Sequence, residues 1–309
     1  MKIKKLIFFN ILIFSFLIFT SCEYGLHQVL HRIDEVNSRS SKIYDLNTFA
    51  VEKLKEDVAA PIISSEKFAV LVFSDVHFGR NAKKQNQRHD EEFISYVLQN
   101  KNQLEKFENS NYPLQFVICA GDVVEHGYKS EYVDYHNFCV KIQTDLNLKV
   151  YTVAGNHDLF NSGWNYWETY CYPHTSSYTF KTTYNKKTLE WIFLDSGSGT
   201  LGNKQLNEVK KILSSSSNEK IVITHYPVYA GGLLYFTMQN VTERDTLISE
   251  FAKGNVKLLV DGHHHSGGEW DFGDFFHEEN IKSYLDYKSF SIIYVDLNSK
   301  KFNIKQVEF

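Results

Sequence analysis

The chain has 309 residues, 43% of them hydrophobic and 15% aromatic, with a formal net charge of −4 at pH 7. The apolar share supports a substantial core, and the acidic balance argues against a nucleic-acid binder held by bulk electrostatics. If Cys22 is lipid-modified, Cys119, Cys139 and Cys171 remain, an odd number that excludes a complete disulfide framework.

Lys2, Lys4 and Lys5 form a cationic start, residues 6–19 are apolar apart from one Asn and one Ser, and Thr20-Ser21 precede Cys22. This is the architecture of a secretory signal over residues 1–21. A cysteine following small residues at the boundary resembles a bacterial lipoprotein signal, although Phe19 stands where Leu is more usual. A plain signal peptide and an N-terminal membrane anchor are the alternatives, and the apolar stretch is short for a span of about 20 residues. The lipoprotein reading, with Cys22 as the lipidated residue, is favoured. Residues 22–66 then form a tether or an N-terminal helical segment. Leu26, Val29, Leu30, Ile33 and Val36 recur at helical spacing, as do Val51, Leu54 and Val58 before Pro61. Residues 67–309 form the main domain.

From residue 68 onward strands and helices alternate. Apolar runs at 68–73, 116–120, 150–154, 221–223 and 256–260 read as strands buried on both faces. Residues 88–107 predict a helix with Phe93, Ile94, Val97, Leu98 and Leu104 on one face. Residues 129–146, 204–213 and 242–252 predict three more, the last capped by Thr242. Residues 178–182, 189–194, 289–297 and 302–309 predict later strands. Cys119 reads as a small buried strand residue, Cys139 as helical and Cys171 as part of an aromatic loop; a Cys139–Cys171 bond has no support from spacing. Strand–helix alternation followed by strand pairs predicts an α/β fold layered as helix, sheet, sheet, helix.

Each of the five early apolar runs ends in side chains that bind metals. The segments are Asp75-Val76-His77, Gly121-Asp122, Gly155-Asn156-His157-Asp158, His225 and Gly262-His263-His264-His265. Ligands leaving the same end of neighbouring strands can converge on one point, and mixed imidazole and carboxylate donors suit Zn, Fe and Mn. The pattern reads as a dinuclear metal hydrolase.

In order and wording these segments resemble the calcineurin-like metallophosphoesterase family, which runs D-x-H, GD with a following Gly (here Gly127), GNH[DE], a single His and GH-x-H. The resemblance implies a four-layer αββα sandwich. It also implies two divalent or trivalent metal ions (Mn, Fe or Zn), with Asp75, His77 and His265 on the first and Asn156, His225 and His263 on the second. Asp122 would bridge them. Hydrolysis of a phosphate ester would follow from attack of a hydroxide held on the metal pair. His157 would stabilise the transition state or protonate the leaving oxygen, and Asp158 would orient His157, with a turn or helix cap as its alternative role. His264, between two ligands on an extended segment, should point away.

Protein serine/threonine phosphatases of the family carry Asp-Arg at the positions of Glu125-His126, and that Arg grips phosphate. This chain lacks it, leaving His126 as a weak substitute or a turn residue, and Arg80 as a substrate contact or an exposed loop residue. Purple acid phosphatases place a Tyr at the position of Glu125, so that branch is disfavoured. The stretch GDVVEHGYKSEY is similar to class III cyclic-nucleotide-phosphodiesterase-like members. Phe160, Trp164, Tyr166, Trp167, Tyr170, Tyr172 and Tyr178 crowd after the third motif, and Tyr226, Tyr229, Tyr235 and Phe236 flank the fourth. They either rim the pocket or, as is favoured, pack loop against loop.

The expected function is thus a metal-dependent phosphoesterase, exported to a bacterial cell envelope and held on the membrane as a periplasmic or surface lipoprotein. Phosphodiesters are weakly favoured as substrates. A surface lipoprotein that binds metal and a phosphorylated ligand without turnover is the alternative. A nuclease is disfavoured by the acidic charge.

Overall fold

In strand β1 (Lys67–Phe73) every residue after Lys67 is buried. Phe68, Val70 and Val72 join one apolar cluster, while Ala69, Leu71 and Phe73 join another. A strand that alternates between two cores needs covering on both faces, and the protein supplies it. A computed structural model describes residues 55, 58–80, 92–95, 97 and 112–308. The proposed signal segment, Cys22, most of the 22–66 segment, most of the 88–107 helix and Phe309 lie outside the described residues.

The remaining strands are β2 (Leu114–Cys119), β3 (Lys149–Thr152), β4 (Tyr178–Tyr184), β5 (Lys187–Phe193), β6 (Glu219–Ile223), β7 (Val256–Asp261), β8 (Gly268–Phe272), β9 (Phe276–Asn280), β10 (Ser289–Asp296) and β11 (Lys301–Glu308). The helices are α1 (Lys129–Leu146), α2 (Trp164–Tyr170), α3 (Gly202–Ser214), α4 (Val241–Lys253) and the short α5 (Tyr284–Tyr287). One sheet runs β11-β10-β1-β2-β3 and the other β4-β5-β6-β7-β9-β8.

Three apolar clusters define four layers. Between the sheets, Phe68, Val70, Phe116 and Ile118 meet Ile221, Leu258, Val260 and Trp191. Outside the first sheet, Leu71, Phe73 and Val117 pack on Tyr132, Tyr135 and Phe138 of α1, and on Phe93 and Val97. Outside the second, Ile192, Val222 and Leu259 pack on Val209 and Leu213 of α3 and Leu247 and Phe251 of α4. This is the four-layer αββα sandwich expected from the alternation.

Differences from the sequence expectation are local. Helix α4 is capped by Asn240, whose side chain accepts from the Glu243 amide, so Thr242 lies inside the first turn and not at the cap. The β8–β9 hairpin was not anticipated. Its strands are acidic, with Glu269, Asp271 and Glu279 on one face, and carry little apolar alternation. Of the 22–66 segment, Lys55 bridges to Tyr178, and Val58 and Ile63 are buried in the inter-sheet core. Residues 92–95 and 97 are helical, and Phe93, Ile94 and Val97 are buried as the apolar face required. The thiols of Cys119, Cys139 and Cys171 are all free.

The register places the site. β1, β2 and β3 are parallel, pairing Phe73 with Cys119 and Cys119 with Thr152. β5, β6 and β7 are parallel too, pairing Phe193 with Ile223 and Ile223 with Val260. Loops leaving these carboxyl ends therefore emerge side by side on each sheet and face each other across the sandwich.

Candidate metal centre

Asp75 and His77 follow β1, Asp122 follows β2, Asn156 and His157 follow β3, His225 follows β6, and His263 and His265 follow β7. Cross-links between loops gather them. The Asp75 amide donates to the Gly121 carbonyl (3.0 Å) and that of Gly262 to the His225 carbonyl (3.0 Å). The two sheets are joined where the His263 amide donates to Asp75 Oδ2 (3.2 Å) and His225 Nδ1 bonds the Ala120 carbonyl (2.8 Å).

The backbone is contorted at these points. Asp75, His77, Asp122 and His263 have φ of 55°, 51°, 50° and 65°, in the left-handed region that non-glycine residues rarely adopt. Two motif glycines make room. Gly121, itself at φ 102°, lies where a Cβ would strike the His225 ring, and at Gly155 a Cβ would strike the Asp122 carboxylate.

The donors fall into two groups around a shared aspartate. In the first, His265 Nε2 is 3.3 Å from Asp75 Oδ1, and His77 Nε2 is 3.9 Å from the same oxygen and 3.3 Å from His265 Nε2. In the second, His225 Nε2 is 3.3 Å from both Asp122 Oδ2 and Asn156 Oδ1, and His263 completes a group with Asp122 and His225. Asp122 Oδ2 also lies 3.9 Å from His77 Nε2, so one carboxylate oxygen faces both groups.

These residues fit a pair of cations. Asp75 Oδ1 is fully buried and makes no well-formed hydrogen bond, its nearest imidazole nitrogen being His265 Nε2 at 3.3 Å, an arrangement that costs free energy unless a cation meets it. Two imidazole nitrogens facing each other at 3.3 Å likewise suit a shared metal better than each other. The charge balance agrees. Burial would push His225 and His265 toward neutrality, yet Asp122 raises the first to about 9 and Asp75 raises the second to about 10. Burial would raise Asp75 and Asp122 as well, but protonated His265 and His225 hold both below the usual carboxylate range. Burial keeps His77 and His263 neutral, the latter near 3. The acidic groups thus draw in positive charge from whatever source is nearest.

The far side of the imidazoles is held as metal ligands require. His225 Nδ1 meets the Ala120 carbonyl, His265 Nδ1 meets Asp286 Oδ2 (2.5 Å), and His77 Nδ1 meets Glu125 Oε2 (2.7 Å). In all three the Nε2 atom is turned to the centre. Sequence reading did not single out Glu125 or Asp286 for these positions. Glu125 is three residues past Asp122, but Asp286 sits on α5, distant in sequence from His265, and carries no local signal.

His157 lies beside the first group, its ring edge-on to His77 at 4.6 Å. Its amide donates to Asp122 Oδ1 (2.8 Å) and its Nδ1 bonds the Glu125 carbonyl (2.8 Å). The orienting role expected of Asp158 is corrected by these contacts. Asp158 Oδ1 accepts from the Val123 and Val124 amides (2.9 and 3.1 Å) and Oδ2 from Gly155 (2.7 Å), stapling two motif loops from behind. His126 is drawn away by Glu131, which contacts its Nδ1 at 2.7 Å. Arg80 sits in the turn after the first motif, its amide donating to the His77 carbonyl (3.1 Å). His264 is not part of either group; its ring packs on Phe236 at 4.7 Å.

Two carboxylate–imidazole groups sharing an aspartate, at the strand ends of an αββα sandwich, define the class of dinuclear metal hydrolases. Residues 68–267 match the family model described as calcineurin-like phosphoesterase, and the chain belongs to that family. It is a hydrolase of phosphoric esters. Among solved structures, a dimetal phosphatase from Danio rerio is similar at a TM-score of 0.54 and 14% identity, over 76% of this chain and 93% of that one. GAP50, the anchor in the inner membrane complex of Plasmodium, is similar at a TM-score of 0.50 and 14% identity, over 79% and 89%. At such identity the likeness speaks for the fold alone. A comparison with curated proteins finds no match.

Proposed function

We propose that the protein is an exported, membrane-tethered phosphoesterase that favours phosphodiesters. The observation that carries the catalytic part is the gathering of Asn156 and four imidazoles around two buried carboxylates, Asp122 and Asp75. Asp75, His77 and His265 would hold one metal, Asn156, His225 and His263 the other, with Asp122 between them. Bound there, cations of the Mn, Fe or Zn type would neutralise phosphoryl oxygens and supply an acidified water.

His157 is the proposed catalytic residue. The Glu125 carbonyl fixes its Nδ1, so Nε2 is the atom that exchanges a proton with the departing oxygen. The preference for diesters rests on the missing phosphate-gripping Arg. His126 stands at that position and is paired with Glu131. A diester carries a single negative charge that two metals suffice to bind, whereas a monoester dianion gains more from an added cation. Arg80 is the remaining cationic candidate for a substrate contact.

Export and tethering rest on residues 1–22, and no helix among the described residues is long and apolar enough to cross a membrane. Mass analysis of the mature amino terminus tests this part. Lipid on Cys22, and release from membranes in Cys22→Ser, are expected; any other unmodified terminus overturns it. Turnover is tested with metal-saturated protein on bis(4-nitrophenyl) phosphate and 4-nitrophenyl phosphate. Higher efficiency on the diester is expected, and higher efficiency on the monoester overturns the preference alone. Turnover of neither supports a second reading, a surface lipoprotein that holds metal and binds a phosphorylated ligand without catalysis. The intact donor set and His157 count against it.

A further inference from the structure

Beside the second group of donors the loop after β6 closes on itself. The Met238 amide donates to the Pro227 carbonyl (3.0 Å), and Glu278 Oε1 accepts from the amides of Val228 and Tyr229 (2.8 and 3.1 Å). Held at its base, the loop turns through Gly231 and Gly232, both at positive φ. It then presents Leu233, Leu234 and Tyr235 to solvent at 51%, 66% and 87% exposure. Three consecutive apolar side chains at a loop tip cost free energy in water unless something covers them.

The tip runs directly into the centre. Phe236 packs on His264 at 4.7 Å and faces His263 at 6.1 Å, and Tyr226, at the other end of the loop, lies on His263 at 3.9 Å. His157 lies against the first group, with ring contacts to His77 at 4.6 Å and to Phe160 at 4.7 Å. An ester arm leaving past His157 would lie beside His77 of the first group, and one resting on the Tyr226–Phe236 loop beside His263 of the second. A phosphomonoester has only the first arm. A phosphodiester has a second, which stays on phosphorus when the first leaves.

We infer that the loop over residues 226–236 is the subsite for the retained arm of a phosphodiester, and that this arm is apolar or aromatic, with Leu234 and Tyr235 setting the preference. The inference rests on the proposed phosphoesterase reading and deepens it. The rings at the base fix the occupant's position next to phosphorus, and the exposed tip closes over its outer face. Covering one aromatic arm corresponds to about a tenfold gain in efficiency or affinity.

The test keeps the leaving group constant. Metal-saturated full-length protein is compared on 2-naphthyl 4-nitrophenyl phosphate and methyl 4-nitrophenyl phosphate, with Leu234→Ser/Tyr235→Ser as the variant at two exposed positions. In parallel, calorimetry measures binding of diphenyl phosphate and dimethyl phosphate. The naphthyl ester should lead by about tenfold in kcat/KM, mostly through KM, with diphenyl phosphate bound more tightly by a similar factor. Both ratios should fall toward one in the variant. Ratios near one in the wild type, or unchanged in the variant, overturn the inference while leaving the phosphoesterase reading intact. Selective binding of diphenyl phosphate that the variant loses, without turnover of either ester, supports the subsite and overturns the catalytic reading. A concentration-dependent dimer that the variant abolishes assigns the tip to a second copy of the chain and overturns the inference.

Discussion

Glu125 Oε2 lies 2.7 Å from His77 Nδ1, and the carbonyl oxygen of the same residue meets His157 Nδ1 at 2.8 Å. One buried residue thus orients a candidate metal ligand through its side chain and the candidate proton donor through its backbone. Substitution separates the two roles, because only the side chain changes. Glu125→Gln should lower kcat by roughly 10–100-fold through misorientation of His77. It should also weaken retention of the metal next to His77, as metal analysis after dialysis would read. Full metal content together with unchanged kcat would mean that His77 needs no carboxylate behind it.

Asp122 and His157 should fail in different ways. Asp122→Asn removes a charge that faces both donor groups, so metal content and turnover should fall together. His157→Ala removes an imidazole that packs beside His77 but belongs to neither proposed ligand trio, so it should keep both metals while kcat falls by about 10²–10⁴-fold, the range for loss of a general acid. Elemental analysis beside steady-state kinetics distinguishes them. An His157→Ala protein with intact kcat and KM would remove that residue from the mechanism.

Asp158 predicts a stability effect. Its carboxylate is fully buried and accepts three backbone amides from the loops carrying Asp122 and Asn156. Asp158→Ala would strand those amides away from water and should cost about 3–5 kcal/mol. Denaturant unfolding of the metal-free protein reads this directly, without help from bound cations. A loss below about 1 kcal/mol would show that the loops find other acceptors.

Much of this was legible in the sequence because the β-strands are buried on both faces and so read as unbroken apolar runs, each followed at once by its chemistry. Residues 68–73, 116–120 and 256–260 announce both the strand and the loop that carries the donors. The αββα layering followed from the same alternation. What local pattern could not convey is pairing at a distance. Asp158 adjoins His157 in sequence but turns to the amides of another loop, while Asp286 reaches His265 from a four-residue helix. Asp and His tolerate the left-handed backbone seen at Asp75, His77, Asp122 and His263 better than most residues do, but residue type alone does not place it there; the surrounding loops impose it. The aromatics divided in a way that composition cannot show. Trp167 and Tyr178 are fully buried in the two cores, whereas Tyr226 and Phe236 reached the centre. The acidic β8–β9 hairpin was invisible because its order comes from pairing with β7, not from its own pattern.

The last prediction concerns pH and the loop that flanks the centre. Glu278 on β9 is fully buried, and its Oε2, like Asp261 Oδ2 on β7, has no hydrogen-bond partner among the described residues. A proton shared between the two carboxyl groups would satisfy both. Burial raises Glu278 to about 7, against the pull of the Tyr229 and Val228 amides and of His277, and burial with Glu278 nearby raises Asp261 as well. Because the folded-state value is raised, the protonated form favours the folded state. This contribution is complete below the ordinary carboxylate pKa of about 4.3 and is lost as pH rises through about 7. Stability should therefore fall between pH 5 and 8 by roughly 1–3 kcal/mol from this pair, and the loop clasped by Glu278 Oε1 should loosen with it. Glu278→Gln retains an oxygen for the Val228 and Tyr229 amides and offers a permanent donor to Asp261. Its Tm should exceed that of the wild type at pH 8 and change less between pH 5 and 8, with metal removed in both proteins. An unchanged pH slope in Glu278→Gln would show that the carboxyl pair does not share its proton in the folded state.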